Sequence, residues 1–173
     1  MYNHAPPGYE CSICKVVAGA AGDDVVVTEN ERALALVSRR VWAKGPGHVL
    51  VVPKAHYENL YDLEDEAALD VHRLTRSIAV AFKRAFGCDG TSTRQHNEPA
   101  GNQGLWHLHV HVFPRYEGDD LYGSGYRAST HDERLHLAAA LRSVLSPSDR
   151  WGSPGRGRHG PSNDPATAGG PGP

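Results

Sequence analysis

The chain has 173 residues, a formal net charge of −2 and a pI of about 6.6, enough length for one domain with a sizeable core and no basic excess to hold nucleic acid non-specifically. An odd number of cysteines, three, argues against a disulfide framework and for a reducing compartment. No run nears the ~18 apolar residues of a membrane span, and Met1-Tyr2-Asn3-His4 does not open a signal peptide, so a cytoplasmic domain without nucleic-acid or membrane partners is expected.

Residues 1–10 are expected to form a flexible lead. Val25–Thr28 and Arg32–Val37 read as two strands across Glu29-Asn30-Glu31. Gly45-Pro46-Gly47 marks a turn, and His48–Val52 follows as a continuous apolar strand stopped by Pro53. From 64 to 86, Ala67, Val71, Leu74, Ile78, Phe82 and Phe86 recur at three- and four-residue steps, which predicts an amphipathic helix ended by Gly87. A strand near 91–96 precedes a histidine-rich strand. Thr130-His131-Asp132-Glu133 has capping-box spacing ahead of Leu135, Ala138, Leu141 and Leu145, so a second helix opens there. From Pro147 to Pro173, 13 of 27 residues are Gly or Pro and little beyond Trp151 is apolar, the composition of a disordered tail in which Arg156 and Arg158 make no binding motif. The folded domain is therefore placed at 11–146. Five strands and two helices without βαβ alternation predict an α+β fold with a mainly antiparallel sheet.

The most informative stretch is Trp106-His107-Leu108-His109-Val110-His111-Val112-Phe113-Pro114-Arg115. Three histidines alternate with apolar residues at the period of a strand, which sets them on one face about 6.5–7 Å apart. Ser, Thr or Lys would serve a plain polar face as well. Three imidazoles offer a nucleophile and an acid–base pair, or a metal site closed by a His-x-His pair and a third ring. Cys11-x-x-Cys14 supplies half of a four-ligand zinc site; a redox pair would want a βαβ setting that is missing here, and two free thiols are the plain alternative. Cys88, beside Gly87 and Gly90, reads as a small core or loop residue.

His107-Leu108-His109-Val110-His111-Val112-Phe113 resembles the signature of the histidine triad family of nucleotide hydrolases and transferases. Pro46–His56 is similar to that family's second block, and Cys11–Gly19 to the opening of many bacterial members. Ala100-Gly101-Asn102-Gln103 and Phe113-Pro114-Arg115 lean toward the fragile-histidine-triad and dinucleoside-polyphosphate branch. The resemblance implies a histidine-triad-type fold and a reaction at the α-phosphate of dinucleoside polyphosphates or nucleoside phosphoramidates. It makes His109 the nucleophile and His111 a donor to a phosphate oxygen, with Gln103 near the phosphate. His109's non-attacking ring nitrogen is then expected to donate to a backbone carbonyl. Asn97 stands at the family's polar loop position, and His48, Ser38 and Gly104 are expected to contact the nucleotide. Two positions depart: Gly104 stands where the family often has Ser or Thr, and Ser38 where it usually has Asp or Asn. The resemblance also implies a homodimer and a structural zinc on Cys11, Cys14, His56 and His107, with no organic cofactor. The rival activities are a phosphorylase, a metallohydrolase using all three triad histidines, and a slow nucleotide-binding regulatory module.

Overall fold

A computed structural model describes residues 2–20, 25–45 and 47–146. The expected tail at 147–173, and Pro46 of the expected turn, lie outside the described residues. In chain order the elements are α1 (Ser12–Val17), β1 (Val26–Glu29), β2 (Ala33–Val37), β3 (Arg40–Trp42), β4 (Val49–Pro53), α2 (Asp65–Phe86), β5 (Gly90–Gln95), β6 (Val110–Arg115), β7 (Tyr126–Ala128) and α3 (His131–Val144). Five strands form an antiparallel sheet in the order β1-β2-β4-β6-β5, and β3 pairs with β7 in a separate two-stranded sheet.

Strands β2 and β4 are buried along their whole length because the sheet is covered on both faces. On one face Ala35, Val37, Val49, Val51 and Val112 pack under α2 and α3, against Leu74, Ile78, Phe82 and Leu141. On the other, Leu34, Leu36, Leu50 and Val52 meet Ile13 and Val16 of α1. The apolar period seen in α2 is thus its core face, and Gly87 ends it in the left-handed conformation, φ 59°, its N–H returning to the Lys83 carbonyl. Thr130 and Glu133 close the expected capping box at α3, although Leu137 rather than Leu135 is fully buried.

Four features depart from the sequence reading. Among the described residues there are three α-helices rather than two: α1, six residues long, is too short for a periodic signal, and its N-cap is Cys11, whose sulfur accepts the Cys14 N–H. The β3–β7 pair was not expected either. The histidine strand begins only at Val110, so His107 and His109 sit in the segment leading into it. Finally, the expected flexible lead is fastened down. The Glu58 carboxylate accepts the backbone N–H groups of His4 and Ala5, the Asn59 side-chain amide donates to the Tyr2 carbonyl, and His4 pairs with Glu98 at 2.9 Å.

Candidate active site and metal centre

A cleft of about 610 Å³ opens on the α1 side of the sheet. Its apolar part is built by Ile13, Val16, Leu36 and Leu50; its polar part contains His48, His96, His109 and His111, with Arg39, Arg40 and Arg134. No carboxylate lines it among the described residues. In a chain of net charge −2, that local excess of cationic and titratable nitrogen suits an anionic ligand.

His109 is 6% exposed. Its Nδ1 lies 2.7 Å from the His107 carbonyl, which can only accept, so Nδ1 carries the proton and Nε2 keeps its lone pair. Burial holds its pKa below the ordinary histidine range, which favours the neutral, nucleophilic ring. The His111 ring lies 4.7 Å away, nearly edge-on. His111 Nδ1 is 2.8 Å from His48 Nε2, and His48 Nδ1 is 2.6 Å from the Arg40 carbonyl. Burial pushes His48 down to about 4; burial, then the nearby His109, His48, His96 and Arg94, push His111 down to about 2. Phe113 stacks on both rings.

The first triad histidine goes elsewhere. His107 is fully buried, and its Nε2 donates to the Pro53 carbonyl at 2.9 Å, which leaves the Nδ1 lone pair facing the cysteines. Cys11 Sγ lies 3.3 Å from His107 Nδ1 and Cys14 Sγ 3.3 Å from His56 Nδ1. The four ligand atoms of Cys11, Cys14, His56 and His107 lie within 4.8 Å of one another, a group that could hold a metal ion. The triad therefore splits: one imidazole to this cluster, two to the cleft.

Other expected site residues have different placements. Ser38 borders the cleft, but its hydroxyl accepts the Arg40 N–H at 3.2 Å. Gly104 borders the cleft. His48 also borders it, but both its ring nitrogens are engaged, so it acts on His111 rather than on a ligand. Gln103 does not line the cleft: its side chain donates to the Glu58 and Leu105 carbonyls and accepts from the Glu98 N–H, holding the 98–105 loop in shape. Asn97 likewise turns to the Leu60 N–H at 2.8 Å, and the residue lining the cleft is its neighbour His96. Arg39, Arg40 and Arg134 were also missed, because a charged residue at a strand end or helix start carries no pattern of its own.

A family model for the HIT domain matches residues 20–118. The protein hit of Bacillus subtilis is 34% identical over 122 residues, 70% of this chain and 82% of that protein. Adenosine 5'-monophosphoramidase hnt1 of Schizosaccharomyces pombe is 30% identical over 115 residues, 66% of this chain and 80% of the other. The crystal structure of a Zn-bound histidine triad family protein from Mycobacterium smegmatis superposes with a TM-score of 0.69 at 30% identity, covering 81% of this chain and 96% of that one.

Proposed function

Since the chain belongs to the HIT domain family, we propose that it is a nucleotide hydrolase or nucleotidyl transferase acting at the α-phosphate of nucleotide conjugates through a covalent nucleotidyl-His109 intermediate. One observation carries this reading: His109 gives its Nδ1 proton to a main-chain carbonyl, while its Nε2 accepts no hydrogen bond from the described protein and borders the anion-suited cleft. In the first step Nε2 forms a bond to phosphorus as the bond to the leaving group breaks. Neutral His111 keeps its proton on Nδ1 toward His48; the bound phosphate would draw a second proton onto its Nε2, from which it donates to a non-bridging oxygen or to the departing group, and the Gly104 N–H is a further candidate donor at the cleft wall. In the second step water attacks the same phosphorus, His109 leaves as a neutral imidazole, and a mononucleotide is released. Phosphate in place of water would make the enzyme a phosphorylase. Dinucleoside polyphosphates and nucleoside phosphoramidates are both within this class, and the 5'-monophosphoramidase relative supports the second.

The splitting of the triad favours this reading over a metallohydrolase on three histidines, because His107 turns to the cysteines. For the Cys11, Cys14, His56 and His107 cluster we propose a structural zinc. Two sulfurs and two Nδ1 atoms converge at separations suited to tetrahedral edges, His107 is oriented by the Pro53 carbonyl, and one solved relative is zinc-bound. Zinc there would tie α1 to β4 and β6 without entering the reaction. We also propose a cytoplasmic homodimer that binds no nucleic acid, with the outer edge of β5, unpaired among the described residues, offering backbone groups for pairing. No helix among the described residues is long and apolar enough to cross a membrane.

The test is incubation with adenosine 5'-phosphoramidate, diadenosine triphosphate and diadenosine tetraphosphate, with and without phosphate, followed by chromatography and by mass spectrometry of acid-labile adducts. A nucleotidyl group mapped to His109 supports the reading. Turnover retained by His109→Ala overturns it.

A further inference from the structure

We infer that Arg94, stacked on Tyr122, receives the leaving-group side of the substrate and selects leaving groups that carry negative charge. The inference rests on the reading of His109 and His111 as the residues at the α-phosphorus.

Arg94 of β5 pairs with His111 of β6, His111 pairs with Leu50 of β4, and Leu50 pairs with Leu36 of β2. Residues paired across a sheet share a face. One row therefore crosses the sheet in the order Arg94, His111, Leu50, Leu36. On the leucine side the row meets Ile13 and Val16 of α1, an apolar surface that suits the nucleoside. With phosphorus at His111, the remaining direction along the row leads to Arg94.

Arg94 is held ready for an anion. Its guanidinium lies 4.1 Å from the Tyr122 ring centroid and has no carboxylate partner among the described residues. The other guanidinium over the same ring, that of Arg115 at 4.7 Å from the Tyr122 centroid, is already paired with Asp119 at 2.6 Å. Stacking fixes the orientation of the planar fork and leaves its in-plane donors open, the arrangement that suits phosphate oxygens. Tyr122 is 40% exposed and contacts Trp42, whose ring lies 3.9 Å from Tyr126, a residue of the cleft wall. Arg94, Tyr122, Trp42 and Tyr126 thus make a continuous border running from β5 to the cleft. An ammonia leaving group gains nothing from that border, whereas a group bearing further phosphates gains a bidentate partner.

The experiment is calorimetric binding of AMP and of α,β-methylene-ATP, which cannot be cleaved at the α,β bridge, to wild type, Arg94→Gln, Arg94→Lys and Tyr122→Leu, each checked by thermal melting. We expect wild type to bind the triphosphate analogue at least about tenfold more tightly than AMP, a factor worth roughly 1.4 kcal/mol. In Arg94→Gln the two affinities should come within about twofold while AMP binding is unchanged; Arg94→Lys should recover part of the preference as a point charge. Tyr122→Leu should lower it by loosening the guanidinium, and gives the same reading if Arg94→Gln does not fold. Equal binding of both ligands by wild type overturns the inference, as does an Arg94→Gln variant that keeps the preference or weakens both ligands alike. Turnover is measured separately. A wild type that cleaves no phosphoramidate or dinucleotide sinks the proposed reaction, while the binding ratio still decides the role of Arg94.

Discussion

His48 Nε2 stands 2.8 Å from His111 Nδ1, and the other nitrogen of His48 stands 2.6 Å from the Arg40 carbonyl. A carbonyl only accepts, so His48 carries its proton on Nδ1 and offers a lone pair from Nε2. His111 must then donate from Nδ1, and its Nε2 is the atom left for the cleft. One main-chain carbonyl at the start of β3 sets the tautomers of buried His48 and half-buried His111. Replacing His48 by Phe, close in shape but unable to accept, should cut kcat about 10- to 100-fold with a small change in nucleotide affinity. Steady-state kinetics with an active substrate from the panel above checks this; unchanged kcat would mean that His111 does not need its tautomer held.

His109→Ala should abolish turnover and leave nucleotide binding nearly intact, because it removes the attacking nitrogen and little contact surface. Residual kcat above about one hundredth of wild type, which is roughly 2.7 kcal/mol of barrier, would be too much for a missing nucleophile. Single-turnover kinetics with binding by calorimetry gives both numbers.

Stability should fall in mild acid. The folded pKa of His48 is depressed to about 4 by burial, while the unfolded ring titrates near ~6.5. Between those values the unfolded chain holds the extra proton, so the stabilisation is complete above about pH 6.5 and is lost as pH falls toward 4. His48 alone accounts for about 3 kcal/mol at most, and His111, depressed further, extends the loss below pH 4. Denaturant melts from pH 7.5 to 4.5 should show the decline, with a shallower slope in His48→Phe. Equal slopes would show that His48 is protonated without cost.

Protein purified without added metal should contain one zinc per chain. Cys11→Ser and Cys14→Ser should each lose it and melt more than about 5 °C lower, with activity falling less than stability, because the cluster joins α1 to the sheet rather than facing the cleft. Elemental analysis beside the melts decides it. A metal-free wild type whose serine variants melt normally would leave two ordinary thiols.

Gln103→Leu should destabilise the fold by about 1–3 kcal/mol, since its buried amide ties the Glu58 and Leu105 carbonyls to the Glu98 N–H. The KM for nucleotide should change less than threefold. A large KM effect with a normal melt would instead put Gln103 in contact with the ligand.

Local sequence marked most of the elements, although it missed α1 and the β3–β7 pair and ran the histidine strand back over 107–109. Alternation at 107–113, the α2 period ended by Gly87 and the Thr130–Glu133 cap are local patterns, and local patterns are written in neighbouring residues. The burial of β4 along its whole length was equally visible as an uninterrupted apolar run. The resemblance already gave His107 to the zinc and His109 and His111 to the phosphate, but the cause of that division is tertiary. Alternation put all three on one face, but β6 starts at Val110, and packing turns His107 toward Cys11 and Cys14, some ninety residues earlier. The same holds for His96, which the fold sets in the cleft wall, and for Arg94, whose register opposite His111 no local pattern shows. Such pairings join segments far apart in the chain, so their free energy resides in contacts that no local window contains.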